Sequence, residues 1–330
     1  MLANNNKMII NKLAKNSVKS NKKQYGILFF TIVLSAFMLF CVFTIGLTYL
    51  DSSRLQNTRL NGAEYDITTM NGFTSKQVKS LQSNKNIQNV GMESYAGFIK
   101  SSEFDNTVEI GLLWCDETFW NNLMSPARTK LDGHYPQNKN ELMVTKDILK
   151  ACGNENLSVG DSIVLTYENN TGVHTDKFVI SGIWDGYGDK SAGFVSKNFY
   201  DETGYDLKND GILCIKLNRN YVLPTTIQSL EKSLNFSDRQ IFAPTDYIEN
   251  SFKLLLGICG LALVICLSAY LLIYNILYLS ISGKIRYYGL LQSLGMTKKQ
   301  LVRFITKQML FIAIAGIFIG NLLGILLCIK

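Results

Sequence analysis

Three long runs of the chain contain no charged side chain: Tyr25–Leu50, Leu254–Ile281 and Met309–Ile329. A helix needs about 20 apolar residues to cross a hydrocarbon core of about 30 Å, so each run is long enough to span a membrane. Lys-rich or Arg-rich segments flank the runs, which does not fit buried helices of a soluble protein. The pattern predicts transmembrane helices over residues 25–50, 252–281 and 309–329. The first is too long for the apolar core of a secretory signal, so we interpret it as an uncleaved anchor.

Between the first two runs, residues 51–251 alternate short apolar stretches with turn residues, as in a mixed α/β domain. A β-α-β order at each end of this region, with Thr74 as the N-cap of the first helix, predicts a compact lobe built from both ends. The strands between them predict an inserted β-rich lobe. Helical spacing of leucines after the first run, and a helix starting near Pro244, predict a stalk below this domain. The predicted fold class is an α+β membrane protein with three transmembrane helices and a large mixed α/β extracytoplasmic domain between the first and second.

Charge is distributed in three zones along the chain. Residues 1–50 and 252–330 contain no Asp or Glu and hold 14 of the 33 basic residues, which leaves 19 basic and all 26 acidic residues in 51–251, a net charge of −7 there. Since Lys and Arg beside a span resist translocation, the N-terminus and residues 282–308 are predicted to be cytoplasmic and 51–251 extracytoplasmic. This segregation of charge excludes nucleic acid as the expected partner.

The N-terminal residues 1–24 place apolar side chains at helical spacing among lysines. This pattern predicts an amphipathic helix on the inner membrane surface, with the lysines near anionic head groups. A disordered basic tail is the alternative, because the many Asn residues are poor helix formers.

The sequence offers few candidates for catalytic or ligand-binding residues. The sequence has two histidines and no metal, nucleophile or phosphate-loop motif, so no catalytic residue, metal site or cofactor site is predicted. If the protein uses ATP, the ATPase is therefore another chain or lies beyond Lys330. Cys115, Cys152 and Cys214 lie outside the spans without tight spacing, and they form either one disulfide or three buried thiols.

In the third span Gly316, Gly320 and Gly324 recur every fourth residue. Such a face lets helix backbones approach closely in lipid, so we expect it to pack against another helix. The alternative is that glycine is simply frequent in spans. The three charge-free runs contain no acidic or basic side chain, which argues against an ion-coupled transporter.

The loop between the second and third spans contains RYYGLLQSLGMTKKQL. It resembles the loop of FtsX-like and MacB-like ABC transporter permeases, which runs approximately REIGLLKALGATRRQI. The region from Gly133 to Trp184 and the order of span, large domain, span, loop and span are also similar to this family. Tyr287 stands where the family has Glu. Family members have a fourth span, so the chain is expected to stop short of it.

The resemblance implies a permease subunit of a bacterial plasma membrane that is not itself an enzyme. It implies two partners, an ABC ATPase subunit that binds ATP and a second permease copy or homologue, and mechanotransmission to the outer domain for handling a peptide, lipoprotein or antibiotic. A membrane-anchored sensor without ATP turnover is the alternative. The family's coupling helix corresponds to Ile285–Gly295, and the implied ATPase-contact residues are Ile285, Arg286, Tyr287, Gly289, Leu290, Leu291, Leu294 and Gly295.

Overall fold

The computed structural model describes residues 7–100, 110–187 and 192–328, and side chains from residue 9 onward. The chain divides into two compact units, which we call the helical unit (Met1–Tyr49 with Leu254–Lys330) and the sheet unit (Leu50–Lys253). The start of the predicted segment 1–24 and the last residue of 309–329 lie outside the described residues.

Five helices build the helical unit or lead into it: α1 (Lys7–Ser20), α2 (Lys22–Asn61), α8 (Asp246–Ser282), α9 (Ile285–Ser293) and α10 (Lys298–Cys328). Among the described residues, α2, α8 and α10 are long and apolar enough to cross a membrane. Helices α2 and α8 contain 40 and 37 residues. At 1.5 Å per residue both are more than 50 Å long, well beyond the hydrocarbon thickness of about 30 Å.

The sheet unit contains ten strands and five short α-helices in its described part, together with a π-helical turn (Phe119–Leu123) and a 3-10 turn (Ser125–Ala127). The strands are β1 (Ile67–Met70), β2 (Ile87–Lys100), β3 (Ile110–Cys115), β4 (Arg128–Gly133), β5 (Glu141–Thr145), β6 (Ser162–Asn169), β7 (Gly172–Gly186), β8 (Gly193–Val195), β9 (Ile212–Leu217) and β10 (Ile241–Pro244). The helices are α3 (Ser75–Gln82), α4 (Lys146–Ala151), α5 (Lys197–Tyr200), α6 (Leu207–Asp210) and α7 (Pro224–Ser233). The predicted α+β class, with the mixed domain between the first two long apolar helices, is confirmed.

All ten strands belong to one hydrogen-bonded sheet in the order β10-β1-β9-β2-β3-β8-β5-β7-β4, with β6 paired to β2 and β7. The two ends of the domain meet as predicted in the sequence, because β1 lies between β9 and β10. Helices α3 and α7 bury Leu81, Ile227 and Leu230 in the same cluster as the apolar side chains of β1 and β9.

The expectation of a separate inserted lobe is wrong. Strand β2 has 14 residues and pairs with β9 along its first half and with β3 along its second half. The middle strands therefore continue the sheet that the two ends begin. They do have an apolar cluster of their own, which includes Leu112, Leu142 and Phe178.

A buried ionic group lies where α2 leads into the sheet. The Lys216 Nζ is 2.9 Å from Glu64 Oε1 and 3.7 Å from Asp66 Oδ2, and the Lys216 and Asp66 side chains are 7% and 2% exposed. Asp66 also accepts a hydrogen bond from the backbone N–H of Leu217 at 2.8 Å. Burial raises the pKa of the Asp66 carboxyl, and the Lys216 ammonium opposes that effect. The group thus depends on the lysine for its charge balance.

The stalk ends of two long helices reach a common residue next to this group. Arg54 of α2 donates to the Asn220 side chain at 3.1 Å, and Tyr247 of α8 donates to the Asn220 carbonyl at 3.2 Å. Arg54 also lies 3.8 Å from Glu64. Both helix ends are therefore held against the segment that follows β9.

Lys216→Met should lower the free energy of unfolding by about 3 kcal/mol, because it leaves Asp66 buried without its cation. The matched control is Lys139→Met, which removes an ion pair with Glu202 whose side chains are more than half exposed. It should cost less than about 1 kcal/mol. Denaturant unfolding of the full chain, followed by tryptophan fluorescence, measures both. Equal losses in the two variants would contradict the importance of the buried group.

Candidate functional site

Helix α9 is closed by Gly295, whose left-handed backbone conformation favours glycine. Gly295 has φ +96°, and an added Cβ there would meet no atom within 4 Å. The backbone N–H of Gly295 donates to the Gln292 carbonyl and that of Met296 to the Leu291 carbonyl, both at 3.0 Å. This is the Schellman arrangement, in which a left-handed residue closes a helix.

Helix α10 begins immediately after that turn with a capping box. The Thr297 Oγ1 accepts from the Gln300 backbone N–H at 3.3 Å, and the Gln300 Oε1 accepts from the Thr297 backbone N–H at 3.0 Å. The chain therefore reverses between α9 and α10 within a defined connection. Gly295, Thr297 and Gln300, three of the residues that resemble the permease loop, are explained by this turn.

The inner face of α9 is covered by the N-terminal helix. Tyr288, only 7% exposed, forms a cluster with Ile10 and Ala14 of α1 and Phe304 of α10. Leu291 packs against this cluster and is partly buried. Leu291 therefore supports α9 from within, and its predicted contact with the ATPase stays a prediction.

The outer face of α9 is apolar and exposed. Leu290 is 63% exposed, Leu294 83% and Ile285 65%. Arg286 and Gly289 are exposed on the same side, and an added Cβ at Gly289 would meet nothing within 4 Å. Tyr287 is also exposed and lies at an angle to Tyr288, with ring centroids 5.8 Å apart. Of the predicted contact residues, all but Leu291 are therefore accessible to a partner.

The loop around α9 carries uncompensated positive charge. Residues 282–308 contain six basic residues, and no Asp or Glu occurs between 252 and 330. Helix α9 is held at its inner face, is apolar on its outer face and has cations around it. Such a helix is suited to bind an apolar groove with acidic residues at its rim.

The glycines of α10 lie against α2. Gly316, Gly320 and Gly324 are buried. An added Cβ would lie 2.8 Å from the Ile32 side chain at Gly316, 2.6 Å from the Val33 carbonyl oxygen at Gly320 and 2.3 Å from the Phe40 ring at Gly324. The two backbones thus approach more closely than any side chain at these positions would permit.

Two external cysteines are inert and buried. Cys115 and Cys214 are free thiols in the core, and burial raises the pKa of each well above its ordinary value. Cys152 is partly buried. Within the described ranges no group of three or more His, Cys, Asp or Glu residues could hold a metal ion.

A comparison with protein families gives a match for part of this chain. Residues 259–329, which include α9, the capped turn and the glycine face, match the model described as FtsX-like permease C-terminal. The resemblance to FtsX-like permeases is confirmed for these residues. A comparison with curated proteins gave no match.

Two solved structures resemble part of the chain. The periplasmic region of MacB from Actinobacillus actinomycetemcomitans is 14% identical, with a TM-score of 0.39, over 59% of this chain and 95% of that one. The extracellular domain of the ABC-type transporter YknZ from Gram-positive bacteria is 11% identical, with a TM-score of 0.36, over 55% of this chain and 99% of that one.

Sequence reasoning missed the support that α1 gives to α9. The apolar positions of α1 were assigned to the membrane surface, but Ile10 and Ala14 face Tyr288 and Phe304, while Ile9 and Leu13 stay 50% and 37% exposed. The helical spacing of these residues was the available signal. It shows that a face is apolar and leaves open what covers it.

Gly320→Val should destabilise the helical unit by about 1–3 kcal/mol, because the nearest atom to the new side chain is a backbone oxygen of α2 that cannot move aside. Gly260→Val, in the long apolar helix α8, is the matched control, since an added Cβ there meets nothing within 4 Å. It should have little effect. Thermal unfolding in detergent, followed by circular dichroism, would show equal midpoints for the two variants if the glycine contact were unimportant.

Proposed function

We propose that this chain is the permease subunit of an ABC transporter and couples ATP hydrolysis by a separate cytoplasmic ATPase to movement of the sheet unit. The observation that carries the proposal is the exposed apolar face of α9, with Leu290 and Leu294 at 63% and 83% exposure. It lies in the region that matches the FtsX-like family. The chain itself is not catalytic, and the partner subunit binds the ATP.

The orientation of the chain in the membrane is proposed from the distribution of Lys and Arg. With residues 282–308 and the N-terminus in the cytoplasm, the acid-free basic loop meets the ATPase, and residues 51–251 lie outside a bacterial plasma membrane. A second permease copy or homologue completes the transporter. The substrate class is a peptide, a lipoprotein or an antibiotic.

Continuous helices support a mechanical mode of coupling. Helices α2 and α8 continue from the apolar runs into the sheet unit, where Arg54 and Tyr247 contact Asn220. The apolar runs contain no Asp, Glu, Lys, Arg or His that could bind a translocated ion. Displacement of these helices is therefore the proposed route from ATP hydrolysis to the outer domain.

Leu290→Asp combined with Leu294→Asp should reduce recovery of the co-expressed ATPase with the tagged permease at least tenfold, because two charges would enter the apolar contact. The matched control is Val302→Asp combined with Thr306→Asp. It places two carboxylates at the same spacing on exposed positions of α10. Co-purification from membranes, followed by ATPase assay in nanodiscs, gives the readout.

An intact complex in the α9 double variant would overturn the docking site. If the permease bound no ATPase and its presence changed no ATP turnover, the sensor interpretation would replace the transporter proposal.

A further inference from the structure

A second candidate site lies in the sheet unit, far in sequence from α9. A cleft of about 480 Å³ opens between the ends of α3, α6 and α7 and the segment before β10. We call it the basic cleft. Its charged lining residues are Lys76, Lys208 and Arg239.

The charge of the basic cleft is opposite to that of its surroundings. Residues 51–251 carry a net charge of −7, yet no carboxylate lines the cleft in the part of the chain that is described. Lys76, Lys208 and Arg239 form no ion pair there. A lining with three basic side chains and no carboxylate attracts anions, so the cleft favours an anionic ligand.

Nearby carboxylates are engaged elsewhere. Asp206 accepts from the Lys208 backbone N–H at 3.0 Å and from the Asn209 side chain at 3.2 Å. Asp210 accepts from the Asp206 backbone N–H at 3.0 Å. These acids cap the short helix α6 and leave the ammonium of Lys208 unpaired.

The floor of the cleft is a fixed amide network. Gln77, 7% exposed, donates to the Leu234 carbonyl at 3.1 Å and lies 3.2 Å from the Gln240 amide. Gln240 in turn donates to the Gly72 carbonyl at 2.7 Å. Because the network joins α3, the end of α7 and the segment before β10, the elements that carry Lys76 and Arg239 are held together.

Unusual backbone conformations border the same cleft. Asn71 and Asn235, with φ of +65° and +44°, are the two non-glycine residues with positive φ among those described, and both line it. Asn71 donates from its side chain to the Arg239 carbonyl at 2.8 Å. Such conformations are uncommon outside glycine, and here they shape the rim that presents the arginine.

We propose that the basic cleft binds a phosphate-bearing molecule. Lysines provide point charges and arginine can pair with two phosphate oxygens, so this set of side chains suits a phosphate better than a neutral ligand. The volume exceeds that of a bare phosphate and accommodates a head group or a phosphorylated polyol. The site is independent of the ATPase-docking face and assigns the sheet unit a recognition role of its own.

The test uses the full chain in nanodiscs of zwitterionic lipid. The first arm titrates the water-soluble sn-glycero-3-phosphoglycerol by calorimetry, with glycerol as the neutral probe. The second arm measures co-sedimentation with phosphatidylglycerol vesicles, which distinguishes a lipid head group from a free phosphate. Citrate is titrated as a carboxylate probe.

Lys76→Gln combined with Arg239→Gln should weaken phosphate binding at least tenfold, since two of the three cations are removed. The matched control is Lys79→Gln combined with Lys232→Gln. It removes two exposed lysines of α3 and α7, helices that border the cleft, and neither lysine lines it. The control should bind like the unchanged protein.

Selective loss in the first arm supports a free phosphorylated ligand, and selective loss in the second arm alone supports a lipid head group. Absence of binding in both arms, equal loss in the control, or binding of citrate in preference to the phosphate probe would overturn the proposal. Failure here leaves co-purification with the ATPase unaffected, so the two proposals fail separately.

Discussion

The close approach of α10 to α2 at Gly320 is the constraint on which the helical unit depends. An added Cβ at Gly320 would lie only 2.6 Å from the Val33 carbonyl oxygen, so only a glycine fits at this point of the contact. The position of Gly320 therefore sets the register between the two helices. Further along the same pair, the Tyr25 hydroxyl donates to Gln308 at 2.8 Å. One turn beyond, Phe304 is 1% exposed and shares a cluster with Tyr288 of α9. The packing of two apolar helices thus fixes the helix that presents Leu290 and Leu294.

The same arrangement explains the different roles of the residues in and around the turn between α9 and α10. Gly295 is required by its backbone conformation, Thr297 and Gln300 by hydrogen bonds at the start of α10, and Leu291 by burial. These residues fix the position of α9, while its exposed leucines remain accessible. A pre-organised apolar surface loses little conformational entropy on binding, which favours a defined contact over a flexible one.

Local signals in the sequence predicted much of this fold, and long-range contacts account for what they missed. The Thr74 cap and the four-residue period of the α10 glycines depend on neighbours in the chain. Strand β4 lacks alternation because nearly all of it is exposed, and β8 has three residues, so neither has a periodic pattern. Spacing alone grouped Leu290 with Leu291; only the contact with Ile10 and Ala14 separates them. The basic cleft joins residues 76, 208 and 239, which no local pattern connects.

The strengths of contacts in the sheet unit indicate which of them would yield under a mechanical load. Arg54 and Tyr247 reach Asn220 through single hydrogen bonds, each contributing about 0.5–1.5 kcal/mol. The buried Lys216 and Asp66 side chains lie in one sheet with β1 and β9, where breaking their pairing costs about 3 kcal/mol or more. Tyr247 and Ile248 of α8 are also buried in one apolar cluster with Ile67 of β1 and Leu213 and Ile215 of β9, so the end of α8 is held to the sheet by more than its contact with Asn220. On the proposed mechanism, a displacement of α8 would therefore be passed to the sheet before the sheet's own pairing was disturbed.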